Sequence, residues 1–296
     1  MNISDLQAFI SVATHGSFSM AADALYLTQP AISKRIAALE QELGTKLFDR
    51  IGRKTTLTEA GRSLEIHAQR IMSEVEDSRR AIANLENEVK GQLKLASSHH
   101  IALHRLPKIL QKFVQQYPEV EFDLGFMDSE QACRAVEQGE QELALITLPP
   151  QQSTALELIE VWTDRLVLTV SPNHPLALEP AITPEVLARH PAILPARGTY
   201  TRELIDQQLG LPSVNSKLET HYLETIKMMV EVGMGWSLWP ENMLEDTLKP
   251  KQGRDIVVER QLGIVRHPQR TLSNAGRTFI DACLAQSCTT PDSIKE

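Results

Sequence analysis

Cysteine is scarce: Cys133, Cys283 and Cys288 are the only three in 296 residues. That number is too small for a disulfide framework, their spacing is not that of a metal site, and such sparing use fits a reducing compartment. A redox role for the Cys283/Cys288 pair stands as the alternative to a helix cysteine beside a tail cysteine. No apolar run approaches the ~18 residues of a membrane span. The opening Met1-Asn2-Ile3-Ser4-Asp5 has neither the basic start nor the apolar stretch of a secretory signal. These absences lead us to expect a cytoplasmic protein with no membrane partner.

Several enzyme signatures are missing too. There is no P-loop, no glycine fingerprint for a dinucleotide after a strand, no His-Glu-x-x-His and no Gly-x-Ser-x-Gly elbow. A catalytic pair without such a motif is the alternative, but nothing in the sequence asks for one, so neither enzyme nor cofactor is expected. The net charge of -8 argues against a nucleic-acid coat over the whole chain, and so against a non-specific architectural DNA protein. What is present is an ordinary globular mixture, 42% hydrophobic and 23% charged, in a chain long enough for two domains.

Charge is uneven along it. Residues 1–58 carry six Lys/Arg and five Asp/Glu, and all six cations, Lys34, Arg35, Lys46, Arg50, Arg53 and Lys54, follow residue 33. The acidity lies further on. A local cationic excess of this kind is the footprint of a surface that binds duplex DNA.

The same segment has helical periodicity. Leu6, Phe9, Ile10 and Ala13 mark a first helix stopped by His15-Gly16, and Ser17 caps a second carrying Phe18, Ala21, Ala22 and Leu25. A break at Tyr26-Leu27-Thr28 precedes a third helix with Ile32, Ile36, Leu39 and Leu43 inward, Thr28 as cap and Pro30 in its first turn. Two short helices joined by a tight turn describe a helix-turn-helix, whose second member enters the major groove. Its outward residues suit base edges: Gln29 for adenine, Ser33 for several bases, Lys34 for guanine, and Pro30 and Ala31 for a thymine methyl. A solvated polar face on a three-helix domain is the alternative. Residues 50–57 then read as a two-stranded ribbon with a basic tip, a wing whose Arg50, Arg53 and Lys54 would join Arg35 in holding phosphates. Arg50 as an internal ion-pair partner is the other reading.

Phe9, Gly16-Ser17-Phe18, Ala21-Ala22, Leu25, Gln29-Pro30-Ala31-Ile32-Ser33, Ile36, Leu39-Glu40, Leu43-Gly44, Leu47-Phe48, Arg50, Leu57-Thr58 and Ala60-Gly61 together resemble the N-terminal signature of the LysR-type transcriptional regulators. The match spans about sixty residues without a gap. The resemblance implies DNA contacts by Thr28, Gln29, Pro30, Ser33, Lys34 and Arg53; Lys34 stands where that family more often has arginine.

Residues 59–90 contain no proline and a narrow apolar stripe through Leu64, Ala68, Ile71, Val75, Ile82, Leu85 and Val89, interrupted by Ser78. A stripe of about two residues in seven on a long polar helix is a coiled-coil seam. We therefore expect a linker helix over 59–90 that pairs two chains through Leu64, Ile71, Val75, Ile82, Leu85 and Val89. A helix packed on its own C-terminal domain is the alternative. Two paired DNA-binding domains would read an inverted repeat. The family further implies a tetramer, with RNA polymerase as a candidate partner.

Beyond residue 90 strands and helices alternate: a strand at 92–96, a helix over 101–117 ended before Pro118, a strand at 120–126, a helix near 129–138 and a strand at 143–146. This βαβαβ order implies a parallel sheet with ligands at the carboxyl ends of its strands. A second set follows, with strands at 166–170, 192–194 and 236–240, helices at 201–209 and 223–232, and a terminal helix after Ser273-Asn274-Ala275-Gly276.

The order resembles the LysR-type effector domain, a periplasmic-binding-protein-like pair of α/β lobes. The expected organisation is thus an α+β protein: a winged helix-turn-helix at 1–58, a linker helix at 59–90 and an effector domain at 91–296. Lobe I would take about 91–162 and 268–296, and lobe II about 163–267, with crossovers near 162–166 and 264–268. A small-molecule effector would lie between the lobes, against Ser97, Ser98, His99, Ser129, Thr147, Thr199, Thr201, Thr220 and His221. Helix capping is the competing role for each. His100 and His104, four apart, could face one metal, but no third ligand is evident, and we expect one histidine in the cleft and the others exposed or capping.

Overall fold

The computed structural model describes residues 1–51, 54–210, 216–244, 248–250 and 256–287, with the backbone alone at 50, 51, 54, 249 and 287. Helix α1 (Ile3–His15) is capped by the Asn2 side chain and ends at Gly16, whose φ of 60° is a left-handed conformation that a residue without Cβ adopts freely. Ser17 then caps α2 (Phe18–Ala24), accepting the Met20 amide. After a turn with Tyr26 at φ 54° comes α3 (Gln29–Leu43). Leu6, Phe9 and Val12, the small pair Ala21 and Ala22, and Ile32, Ile36 and Leu39 close one core. Strands β1 (Phe48–Ile51) and β2 (Lys54–Leu57) form the expected antiparallel ribbon, Arg50 opposite Thr55.

Two local expectations are corrected. Leu43 is 43% exposed, because α3 ends there at Gly44 and its last turn projects past the core. Thr28 sits at the N-cap position without a side-chain capping bond; its carbonyl takes the Ala31 and Ile32 amides, and Pro30 has no N–H to satisfy.

Helix α4 (Glu59–Ala83) starts at Thr58, whose hydroxyl donates to the Lys46 carbonyl at 2.7 Å and accepts the Gly61 amide at 3.0 Å. Gly61 lies so close to the ribbon that a Cβ would sit 2.2 Å from the Leu47 carbonyl oxygen. Ala60, Leu64, Ala68 and Met72 pack into the N-terminal core, so Leu64 is taken up by its own domain and is not free for a second chain. Ile71 is 36% exposed, Ile82 70% and Leu85 79%; Val75 is half-buried.

The helix does not continue to residue 90. A single 3-10 turn (Asn84–Glu86) follows α4, and Asn87 at φ 54° reverses the chain, as asparagine does at helix ends. Leu85 therefore lies on that turn, and Val89 packs against the C-terminal core, so it cannot belong to the seam. The chain divides into two compact units, 1–86 and 87–296.

In the second unit, β3 (Gly91–Ser97) pairs in parallel with β4 (Val120–Phe126) on one side and β5 (Leu143–Thr147) on the other, as the βαβαβ pattern requires. The helix expected over 101–117 is two, α5 (His99–His104) and α6 (Leu106–Gln116), split at Arg105 because Pro107 disrupts a continuous helical turn. Helix α7 (Ser129–Gln138) completes this half. The long strand β6 (Glu157–Val170) then leads to α8 (Pro184–Ala188), β7 (Ala192–Pro195), α9 (Tyr200–Leu209), β8 (Ser216–Thr220), α10 (Leu223–Glu231), β9 (Ser237–Pro240), β10 (Lys249–Pro250), β11 (Val257–Arg266) and α11 (Asn274–Ser287). Strands β7 and β8 are parallel, while β9, β10 and β11 run antiparallel to β6.

Each lobe has its own core. Leu93, Leu95, Phe113, Leu145 and Phe279 belong to lobe I, with α11 returning to it; Leu166, Leu194, Ile205, Trp236 and Val258 belong to lobe II. Leu262 and Ile264 pack in lobe I, so the second crossover lies at 258–262 and not at 264–268. Register explains the shift: β6 and β11 cross together, and Arg260 stands opposite Asp164. Among the described residues no helix is long and apolar enough to cross a membrane.

Candidate functional site

On the N-terminal unit, burial of Ile32, Ile36 and Leu39 turns the opposite face of α3 outward. Thr28, Gln29, Pro30 and Lys34 are exposed, and Ala31 and Ser33 half-buried. The Gln29 amide donates to Ser33 Oγ at 3.0 Å, which holds both polar groups on one patch. Glu40 ties this helix to the ribbon, accepting the Leu47 amide at 2.9 Å and Lys46 Nζ at 2.6 Å. Arg35 is half-buried and donates to the Ser4 carbonyl at 3.3 Å, so it braces α3 against the start of α1. Arg50 and Lys54 stand on the ribbon backbone; Arg53 lies outside the described residues. Tyr26, 96% exposed in the turn before α3, is a polar-tipped aromatic absent from the expected contacts. Its place just before the helix, with Leu25 and Leu27 packed inward, was the available signal.

The second site is a cleft in the C-terminal unit with free space of about 60 Å³. Of the nine expected cleft residues, Ser98, His99, Ser129, Thr147, Thr199, Thr201, Thr220 and His221 line it. Ser97 does not: it is 1% exposed and its hydroxyl donates to the Leu145 carbonyl at 3.0 Å, stitching β3 to β5. The capping alternative also holds for some of them. Thr199 Oγ1 accepts the Arg202 amide at 3.3 Å, and Ser129 Oγ accepts the Thr147 amide at 3.2 Å. Ser98 has the N-cap position of α5 without a capping bond and lies 3.5 Å from His100 Nδ1.

The charged part of this cleft was not foreseen. Arg260, 3% exposed, donates to Asp164 Oδ2 at 3.0 Å and to Thr201 Oγ1 at 3.1 Å. Arg105 donates to the other Asp164 oxygen at 2.9 Å, and its guanidinium lies 5.4 Å from the Trp162 ring centre. One buried carboxylate thus faces two guanidinium groups. Burial lowers the Arg260 pKa against the raising effect of Asp164. Burial first, then the Arg260 charge, holds His100 well below the usual histidine value, so its ring is neutral at pH 7. Its Nε2 is sealed from solvent and has no partner among the described residues, as is true of Arg260 Nε.

Carboxylates cross the cleft from the other side. Asp128 pairs with His221 Nδ1 at 2.9 Å, and Glu130 accepts the Tyr200 amide at the start of α9. Pro195, Leu223 and Ile226 add an apolar margin. At the rim His99 stands 5.1 Å from Tyr222 and 6.4 Å from Phe126, ring centre to ring centre. Both His99 and His100 therefore line the cleft, where one histidine was expected, and His104 faces Glu224 at 3.2 Å. Among the described residues no group of His, Cys, Asp and Glu is arranged to hold a metal ion. Cys283 is buried, which pushes its thiol up to about 12, and Cys288 lies outside the described residues.

Both halves match family models: residues 3–62 the bacterial regulatory helix-turn-helix protein of the lysR family, and residues 86–287 the LysR substrate binding domain. A probable RuBisCO transcriptional regulator of Synechocystis is 31% identical, over 99% of this chain and 88% of its own length. The uncharacterised regulator YeiE of Escherichia coli K12 is also 31% identical, over 96% and 97%. Among solved structures, a full-length OxyR variant from Pseudomonas aeruginosa superposes with a TM-score of 0.70 at 21% identity, covering 99% of this chain and 96% of that one. CbnR in complex with its target DNA gives 0.63 at 20%, covering 97% and 100%. At these identities the structural likenesses concern the fold.

Proposed function

The chain belongs to the LysR-type transcriptional regulators, and from that premise we propose that it reads an inverted repeat through the exposed face of α3 and answers to a small molecule held between its two lobes. The observation that carries the first half is that Thr28, Gln29, Pro30 and Lys34 are exposed on a helix whose opposite face is buried. Gln29, Lys34 and Ser33 meet base edges, Pro30 and Ala31 a thymine methyl, and Thr28, Tyr26 and the ribbon cations Arg50, Arg53 and Lys54 the phosphates beside them. Arg35 contributes through the position it gives α3.

The chain works as a homodimer or a dimer of dimers, because one helix-turn-helix covers too few base pairs for selective binding. Ile71, Val75, Ile82 and Leu85 form the seam. It acts in the cytoplasm and contacts RNA polymerase from the bound promoter. No step of catalysis is assigned to it. Binding in the cleft shifts the balance between two arrangements of the oligomer, by as much as the ligand prefers one over the other.

Substitution separates the two kinds of DNA contact. Gln29→Ala should cost about 1–3 kcal/mol at the cognate site and relax base choice there, whereas Arg53→Ala should weaken all DNA similarly and lower the salt slope by about one. Equal losses on cognate and random DNA for both variants would remove selective readout by α3.

A further inference from the structure

We infer that the ligand of the interlobe cleft is a small oxyanion, an organic carboxylate or an inorganic oxyanion, that takes the place now held by the Glu130 carboxylate before the N-terminus of α9. The inference rests on the reading of the cleft as an effector site and specifies its chemistry.

Charge comes first. Among the described residues Arg105 and Arg260 share Asp164 alone, which leaves one positive charge in excess in a setting where Asp164 is 2% and Arg260 3% exposed. A buried charge without a counter-ion is costly, and one remedy is an anion brought in from solution. Arg260 also keeps an N–H with no partner among the described residues, at Nε, and the residue lines the cleft. It is thus a polar group more than nine-tenths buried, presented to the space a ligand would fill.

The second observation is where Glu130 goes. Helix α9 has ten residues, and its first amide, that of Tyr200, is taken by the carboxylate of Glu130 arriving from α7 in the other lobe. Helix N-termini favour negative charge through their free amides and aligned dipoles. The protein supplies its own carboxylate there, beside Thr201, which accepts from Arg260. The remaining acid of the lining, Asp128, is already paired with His221. A free anion with better access to Arg260 would displace Glu130 and undo a link between the lobes. A bound anion would then be coupled to lobe movement, since the same amide cannot serve both.

Size agrees. A free space of about 60 Å³ holds a few waters, which suits a compact oxyanion or the carboxylate end of a small acid. Ser98 and Thr199 hydroxyls and the sealed Nε2 of His100 provide the surrounding donors and acceptors.

The test uses the full chain and titrates sodium acetate, inorganic sulfate and inorganic phosphate at constant ionic strength against chloride, by calorimetry. Acetate above the two inorganic ions would identify the carboxylate source, and the reverse order the inorganic one. Glu130→Ala is expected to tighten binding of the preferred probe tenfold or more, because it removes the competing charge and frees the Tyr200 amide. Arg260→Gln is expected to weaken it at least tenfold; should that buried change prevent folding, Thr201→Val carries the same expectation of weaker binding. Equal affinity for the probes in wild type and Glu130→Ala overturns the proposal. If instead only neutral or cationic metabolites bind, with affinities that fall in Ser98→Ala or Thr199→Ala, the anion assignment is overturned and the sensor reading stands. If no compound of any charge responds to those two changes, both are overturned.

Discussion

Asp164→Asn should destabilise the C-terminal unit while leaving the N-terminal unit untouched. In the native chain Asp164 receives Arg105 at 2.9 Å and Arg260 at 3.0 Å, almost wholly out of water. Asparagine keeps the shape and removes the charge, so two guanidinium groups are left facing each other across a neutral amide. Breaking a buried pair by neutralising one partner costs about 3–5 kcal/mol. For a unit of this size each kcal/mol lowers the melting temperature by about 2–4 °C, which makes the expected drop roughly 6–20 °C. All three tryptophans, Trp162, Trp236 and Trp239, lie in the second unit, so their fluorescence on heating reports that unit alone. A melting temperature within about 2 °C of wild type would refute the assignment of Asp164 as the shared counter-ion. A control sharpens it: Arg105→Met, Asp164→Leu and Arg260→Met together should be close to neutral, because the desolvation cost disappears with the charges.

Other expectations follow from the same contacts. His100 is kept neutral, so below about pH 6.5 the unfolded chain binds a proton that the folded one does not, and stability falls as pH falls. The stability difference between wild type and His100→Gln should therefore change by about 2 kcal/mol from pH 7 to pH 5 in denaturant titrations; a constant difference would contradict it. Gly61→Ala drives a methyl group to 2.2 Å from the Leu47 carbonyl and should cost about 1–3 kcal/mol and weaken DNA binding, whereas unchanged unfolding by circular dichroism would show that α4 shifts freely. Ile82→Asp with Leu85→Asp should halve the mass in sedimentation if those exposed residues meet a second chain; an unchanged mass would exclude the seam.

Local rules made the N-terminal unit legible. Gly16, Ser17 and the spacing of Ile32, Ile36 and Leu39 act within a few residues, and the structure keeps each as read. Linker length was misread because apolar spacing carries on to Val89, while the left-handed turn at Asn87 is a single-residue event that periodicity does not register. The polar cleft residues were reachable from strand order, since loops after parallel strands converge there. Arg260 was not, because its partner Asp164 is 96 residues away. A sign existed: Val258, Arg260 and Leu262 alternate onto one buried face of β11, and a cation between two core positions calls for a counter-ion.

Selective reading of DNA by a paired protein is the centre of this account, and selection of source-genome fragments by the full chain tests it most directly. The recovered fragments should share an inverted repeat whose half-sites lie on one face of the duplex, whole helical turns apart. Recovery of fragments with no common sequence, bound no more tightly than random DNA at the same salt, would contradict it.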